Sequence, residues 1–192
     1  MRTFRLLPLL LLALVAPPAL SDDLLVTARA TAVDLIQRLG ALLKKEIAAG
    51  GPDSAIAVCR DMAPGLAGDL SRKTGARVSR VSLRTRNPLL GQPDAWEQRV
   101  LAEFDELAAQ GARPDELERS EIVTEPQGRF FRYMKAIPVQ PLCLTCHGTM
   151  ASIPDAVRTR LAADYPRDRA TGYAPGQIRG AVTIKQPLDH PG

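Results

Sequence analysis

The chain has 192 residues, of which 25 are basic and 21 acidic, and its formal net charge is +4. This length is sufficient for one domain with a proper core and too short for two comfortable ones. The near balance of charge argues against a nucleic-acid partner, because such a partner requires a dense basic surface.

The N-terminal segment has the pattern of an export signal. Two arginines precede an apolar run over residues 6–15, and small residues follow at Ala19 and Ser21. The run is too short to span a bilayer as a stable helix, so we expect cleavage, with an uncleaved anchor as the alternative. We therefore predict a signal peptide over residues 1–21 and a single periplasmic domain over residues 22–192, with no stable membrane span after cleavage.

The first part of the mature chain is predicted to be helical. Apolar residues recur at spacings of three and four over residues 22–49, which predicts one long helix with an apolar stripe, and Gly50-Gly51-Pro52 would end it. A second helix follows and places Cys59 on its inward face. Because Pro64 has no amide hydrogen and crowds the preceding turn, this helix should kink or restart just past the cysteine.

The second part combines strands with shorter helices. Helices are predicted from Asp94 to about Gly111 and over residues 155–164. Segments that alternate apolar and polar residues, as half-exposed strands do, are residues 76–86, 117–124, 130–139 and 180–186. The order of helices, strand, helix, hairpin and strand predicts an α+β fold, in which helices flank an antiparallel sheet.

The segment Cys143-Leu144-Thr145-Cys146-His147 has the spacing that binds haem c. Each thiol adds across a vinyl group, and the adjacent histidine nitrogen takes the iron from one side. A redox-active cysteine pair and half of a zinc site are the alternatives. Zinc would need further ligands, for which the chain offers only Cys59 and His190, and no βαβ unit of the thioredoxin kind surrounds the motif. We predict one covalently attached haem c.

The residues alone leave the sixth ligand of this iron open. Met150 follows the motif too closely to reach the opposite side of the ring, and His190 lies in a terminal tail. Met62 and Met134 are credible ligands, although methionines are more often core residues. Cys59 would by base rate also be a small buried core residue, yet an unpaired thiol in an oxidising compartment requires a reason.

Arginines alternate along the first predicted strand at Arg80, Arg84 and Arg86. Such a pattern is usually a solvated face. Alternatively, one or two of these side chains bind the haem propionates, because a guanidinium group matches a carboxylate through two hydrogen bonds. We take Arg84 and Arg86 as the candidates, and Arg60 could instead stabilise the thiolate of the neighbouring Cys59.

Several motifs together resemble a known family, the extracytoplasmic c-type haem domains with a PAS-like fold, long described as a domain of unknown function. The resemblance extends over about residues 24–188. It is carried by Ala55-Ile56-Ala57-Val58-Cys59 with Ala63-Pro64, by residues 80–88, 93–97 and 143–148, and by Gly172-Tyr173 with Arg179-Gly180-Ala181. One stretch differs, because Leu89-Leu90-Gly91-Gln92 lies where the family usually has a shorter link that contains asparagine.

This resemblance implies a PAS-like antiparallel sheet with a long N-terminal helix, and it implies that Cys59 is the second axial ligand, opposite His147. Members occur alone or as the sensing part of bacterial signalling proteins. We therefore expect a periplasmic redox or gas sensor with His/Cys ligation, and a low-potential electron-transfer cytochrome c is the alternative. The expected partners are a signal-transducing or redox protein and a small gas ligand. An enzyme is not expected, because no second haem motif and no distal histidine and arginine pair stand out.

Overall fold

The computed structural model describes residues 18–189, with their side chains from residue 21 onward. Residues 1–17 of the predicted signal peptide, and His190, lie outside the described residues. No helix in the described part of the chain is long and apolar enough to cross a membrane.

The secondary structure follows the predicted order of elements. The helices are α1 (Pro18–Gly50), α2 (Ala55–Ala57), α3 (Ala63–Thr74), α4 (Pro88–Gly91), α5 (Ala95–Ala109), α6 (Leu144–His147) and α7 (Asp155–Asp164). The strands are β1 (Arg77–Val81), β2 (Glu118–Glu125), β3 (Gly128–Pro138) and β4 (Ile178–Pro187). A π-helical turn (Val58–Met62) connects α2 to α3, and a 3-10 turn (Pro141–Cys143) leads into α6.

The four strands form one antiparallel sheet in the order β1-β4-β3-β2. Strands β2 and β3 form a hairpin whose turn requires Gly128, because its φ of +128° lies in a region that residues with a side chain rarely adopt. The last strand, β4, inserts between β1 and β3. The α+β class, the antiparallel sheet and the long N-terminal helix are thus confirmed.

Helices cover the sheet on both faces. On one face, α1 and α3 pack against the sheet through a core that includes Leu35, Leu70 and Tyr133. On the other face, α5 packs through a core that includes Phe104 and Met134. The segment that carries the two motif cysteines and the histidine leaves the sheet at the end of β3, where a bulge interrupts the pairing with β4.

A buried ionic network fixes α5 to the sheet. Asp94 and Glu97 form a capping box at the start of the helix, in which each side chain accepts a hydrogen bond from the other residue's amide. Arg132 of β3 is only 2% exposed and donates to both of these carboxylates and to Glu125. Its guanidinium carbon lies 4.6 Å from the ring centroid of Trp96. The network therefore ties the first turn of α5 to the central strands.

One sequence prediction was wrong in its boundary. The strand predicted over residues 76–86 ends at Val81, because the Ser82 hydroxyl accepts a hydrogen bond from the Arg84 amide and turns the chain out of the sheet. The stretch in which the chain differs from the family, Leu89-Leu90-Gly91-Gln92, lies largely in the short helix α4, which Asn87 caps. The predicted restart of the second helix is confirmed, since the π-helical turn ends and α3 begins immediately before Pro64.

Candidate functional site

The two motif cysteines and the histidine lie on a compact helical segment. Cys143 ends the 3-10 turn and Cys146 and His147 lie in α6. Gly148 closes the segment, with its amide 2.8 Å from the Leu144 carbonyl oxygen. A Cβ atom at this position would lie 2.6 Å from that same oxygen, so a larger residue would push the chain out of the turn.

His147 is oriented as a metal ligand. Its Nδ1 lies 2.6 Å from the carbonyl oxygen of Ala170, which can only accept, so Nδ1 carries the proton and Nε2 keeps its lone pair. Burial lowers the pKa of His147 well below its usual value, and the charges of Arg179 and Arg86 lower it further. The ring is therefore neutral at physiological pH, which is the form that binds metals.

A segment that we call the strap, residues 168–177, holds the histidine in place. The amide of Tyr173 donates to the carbonyl oxygen of His147 at 2.9 Å. The amide of Gly172 donates to the carbonyl oxygen of Gly148 at 2.6 Å. Arg86, which is 8% exposed, donates to Asp168 at 3.0 Å and to the carbonyl oxygen of Cys146. In this structure Arg86 therefore links the strap to the motif, and its predicted role toward the propionates remains a prediction.

Cys59 lies on the π-helical turn, half-buried, and near the motif. Burial raises the pKa of Cys146 to about 11 and that of Tyr165 to about 12, and negative charge at Cys59 contributes to both shifts. Cys146 also packs against the small core in which Ile56 of α2 meets Val157 of α7. The fold thus brings Cys59 close to Cys146 of the haem motif. π-Helical turns are rare and are frequent at functional sites.

Arg179 donates a hydrogen bond to the unprotonated ring nitrogen of the histidine. Its Nε lies 3.3 Å from His147 Nε2, and its Nη1 donates to the Ser82 hydroxyl at 2.9 Å. Burial lowers the pKa of Arg179, and no carboxylate forms an ion pair with it among the described residues. The half-buried guanidinium of Arg179 thus has no acidic partner, and its donors are directed to His147, the Ser82 hydroxyl and the Arg84 carbonyl oxygen.

The family model of the Tll0287-like domains matches residues 19–187, which is most of the chain. The chain belongs to the Tll0287-like family. Its fold is similar to that of a solved structure described as the crystal structure of the cyanobacterial heme-protein Tll0287, with a TM-score of 0.63. The two sequences are 23% identical, and the match covers 92% of this chain and 100% of the other. No curated protein matches this sequence.

The residues of this Tll0287-like chain fit a histidine-ligated haem. His147 Nε2 carries the lone pair that an iron ligand needs, although in this structure it accepts a hydrogen bond from Arg179 Nε that iron binding would replace. The motif cysteines are unpaired thiols on the same short segment. Arg179 supplies a half-buried positive charge beside that nitrogen, which a haem propionate would neutralise. Within residues 18–189, no three His, Cys, Asp or Glu side chains are grouped as a metal site built from such ligands would require.

The other candidate ligands of the Tll0287-like chain lie in less suitable places. Met134 is fully buried in the core under α5, whereas Met62 and Met150 are 47% and 57% exposed. Arg60 forms ion pairs with Asp61 and Asp164.

Arg84 and Arg179 both lie close to the ring of a tyrosine. The guanidinium carbon of Arg84 lies 4.2 Å from the ring centroid of Tyr173, and that of Arg179 lies 5.7 Å from it. Sequence reasoning included Tyr173 and Arg179 in the family motifs but assigned them no role at the site. The available signal was an arginine directly before Gly180, at the start of the last strand.

Proposed function

We propose that this protein is a periplasmic monohaem cytochrome c of the sensor kind, with one haem attached through Cys143 and Cys146. His147 and Cys59 would be its axial ligands. The observation that carries the proposal is the orientation of His147: the Ala170 carbonyl holds the ring proton on Nδ1, so Nε2 carries the lone pair, and two reduced thiols lie on the same short segment. The cyanobacterial neighbour is described as a heme-protein, which supports the same cofactor.

When bound, the haem would supply one-electron chemistry and, with one axial position open, a site for a small gas such as carbon monoxide or nitric oxide. The protein residues decide whether that position opens. A thiolate binds ferric iron more strongly than ferrous iron because it carries negative charge. We propose that Cys59 stays bound in the oxidised protein and is released on reduction.

The local structure supports such a release. Cys59 lies on a π-helical turn that ends just before Pro64, where regular helical hydrogen bonding is already interrupted. Val58 of this turn packs against Leu39 of α1, with Leu42 and Leu43 beside them. A movement of Cys59 would therefore change the packing of this turn against the long helix α1. We propose that a signal reaches a partner protein through α1.

A low-potential electron carrier is the second candidate. Apolar side chains near the motif and near Cys59 are exposed, namely Leu142, Met62 and Met150 at 38%, 47% and 57%. Contiguous exposed apolar patches mark surfaces that meet other proteins, and these three side chains are the candidates for such a patch. A carrier would use them to contact a redox partner and would keep the same two ligands in both redox states.

The decisive experiment compares wild type with Cys59→Ala after export from a strain that attaches haem c. Electron paramagnetic resonance of the oxidised protein should give a low-spin thiolate signal in wild type and not in the variant, and the variant should have a higher potential. Wild type should bind carbon monoxide only after reduction.

Met62→Ala, on the same turn, is the matched control and should leave the spectra unchanged. If Cys59→Ala keeps the wild-type signal and potential, the cysteine is not a ligand. If carbon monoxide does not bind to the reduced wild type, both ligands are retained and the electron carrier is the better assignment.

A further inference from the structure

A cavity of about 490 Å³ lies between α5 and the strap, outside the haem motif. Its walls are the second half of α5, the chain that follows β1, and the end of the strap where it enters β4. Neither Cys59 nor any residue of the segment 143–147 lines it. Its volume is within the range of about 300–1,000 Å³ that small-molecule sites in proteins occupy.

The walls of the cavity carry two opposite charges on an otherwise mostly apolar surface. Leu101 and Ala108 of α5 and Ile178 of β4 supply apolar surface, while Arg84 and Asp105 supply the charges. Both side chains line the cavity; Asp105 is exposed and Arg84 is half-buried. Desolvation raises the pKa of Asp105, and the charge of Arg84 opposes this shift.

These two charges are not paired with each other or with any other group of opposite sign. No ion pair within residues 18–189 includes either Arg84 or Asp105. Arg84 is held by stacking on Tyr173 and by one hydrogen bond, from its Nε to the Arg169 carbonyl oxygen at 3.3 Å. Most of its N–H donors therefore remain available to a ligand.

We propose that this cavity binds a small zwitterion of the α-amino acid type, with its carboxylate on Arg84 and its ammonium group on Asp105. This assignment replaces the propionate role that the sequence suggested for Arg84. A simple anion would meet the repulsion of Asp105, and a simple cation would meet that of Arg84. A molecule that carries both charges can pair with Arg84 and with Asp105, and its side chain lies against the apolar surface of α5.

The cavity is connected to the proposed iron ligand through two short contacts. Ser82 lines the cavity, and its hydroxyl accepts a hydrogen bond at 2.9 Å from Arg179, which faces His147 Nε2. Tyr173 also lines the cavity, and its ring lies edge-on to the His147 ring at 6.2 Å. An occupant should therefore alter the surroundings of the haem. This consequence rests on the proposed function, whereas the binding itself does not.

The test is isothermal titration calorimetry of the purified, exported full-length protein with each of the standard L-amino acids. At least one should bind at one molecule per chain. For each binder, the matching acid without the amine and the matching amine without the carboxylate should bind about tenfold or more weakly, since a charged hydrogen bond contributes roughly 1.5–3 kcal/mol and 1.4 kcal/mol is tenfold.

Asp105→Asn and Arg84→Gln should each reduce the affinity by a similar factor. Glu106→Gln is the matched control, because Glu106 follows Asp105 on the same helix and does not line the cavity. Thermal melts of all variants separate loss of binding from loss of folding. The proposal is overturned if no amino acid binds, if the amine-free acid binds as tightly as the amino acid, or if Asp105→Asn binds as wild type does.

Absorption spectra and potentials taken with and without the bound amino acid examine the connection to the haem. A shifted potential supports it. An unchanged spectrum and potential at saturation would show that binding does not affect the haem, while the amino-acid site itself would still stand. Calorimetric binding to a protein that carries no covalent haem would contradict the proposed function alone.

Discussion

Replacing Arg132 by methionine should be strongly destabilising, although the two side chains have similar apolar stems. The guanidinium group is the common partner of Asp94, Glu97 and Glu125, at N···O distances of 2.7, 3.1 and 3.2 Å. Methionine would fill the space and leave these carboxylates without their cation. Because Asp94 and Glu97 begin α5, the loss would loosen the helix that forms one wall of the cavity.

Most of the expected cost comes from Glu97. This carboxylate is 7% exposed and would keep only the Asp94 amide and the Thr183 hydroxyl as donors. Breaking a buried ion pair from one side costs about 3–5 kcal/mol. The buried Nε of Arg132 has no hydrogen-bond partner, and removing it offsets about 1 kcal/mol. We expect a net loss of about 3 kcal/mol, or on the order of 10 °C in Tm for a chain of this size.

Urea unfolding followed by circular dichroism measures this loss. Arg119→Met is the matched control, because Arg119 pairs with Glu103 at 3.6 Å on the surface and should cost less than about 1 kcal/mol. Adding Glu97→Gln to Arg132→Met removes the stranded charge, so the double variant should be destabilised by less than the sum of the single variants. If Arg132→Met costs no more than Arg119→Met, or if the two changes add, the stranded charge is not the cause of the loss.

Other predictions concern the cofactor and the pH dependence of stability. Changing both Cys143 and Cys146 to alanine should abolish the haem that remains with the protein after acid-acetone extraction. Arg179→Gln should lower the haem potential, measured by redox titration, because a fixed positive charge near the iron favours the reduced state. A hydrogen bond from Arg29 holds the pKa of Glu118 below its usual value, so its contribution to stability is present at neutral pH and is lost as the pH falls through that lowered pKa. Melting temperatures measured against pH should therefore fall less steeply below about pH 5 for Glu118→Gln than for wild type.

Each of these predictions has a control or a contradicting outcome. Covalent haem retained by the double cysteine variant would remove the basis of the proposed function. Arg160→Gln changes the same charge on the exposed face of α7 and should leave the potential near that of wild type. An equal potential in the Arg179 and Arg160 variants would place Arg179 away from the iron. Acid melting curves of Glu118→Gln that are parallel to those of wild type would show that this carboxylate is not linked to folding.

The parts of the fold that the sequence predicted well are those set by local signals. The β2-β3 hairpin follows from alternating apolar residues on both sides of Pro126-Gln127-Gly128, and α5 follows from the cap at Asp94. Pro64 signalled an interrupted helix. It did not signal a π-helical turn, because the extra residue in such a turn is accommodated by packing against α1, which the local sequence does not encode.

The residues alone predicted a site only where it is contiguous, and the family resemblance added Cys59 to it. The motif at residues 143–147 is visible in the sequence because the haem chemistry requires its spacing. The contact between Arg179 and His147 joins residues 32 positions apart, and it depends on where β4 pairs in the sheet. The Ala170 carbonyl that orients the histidine is a backbone group, which no residue type identifies.

The strand order has a consequence for how the protein matures. Strand β4 lies between β1 and β3, yet it is the last strand along the chain, so β1 has no neighbour until the C-terminal part has been delivered. The strap follows the motif and therefore also arrives after it. In the proposed exported cytochrome, the two motif thiols would therefore precede the segments that enclose them, and the sheet could not close early. This order would keep the cysteines accessible for haem attachment for as long as the chain is incomplete, and folding would then enclose the finished site.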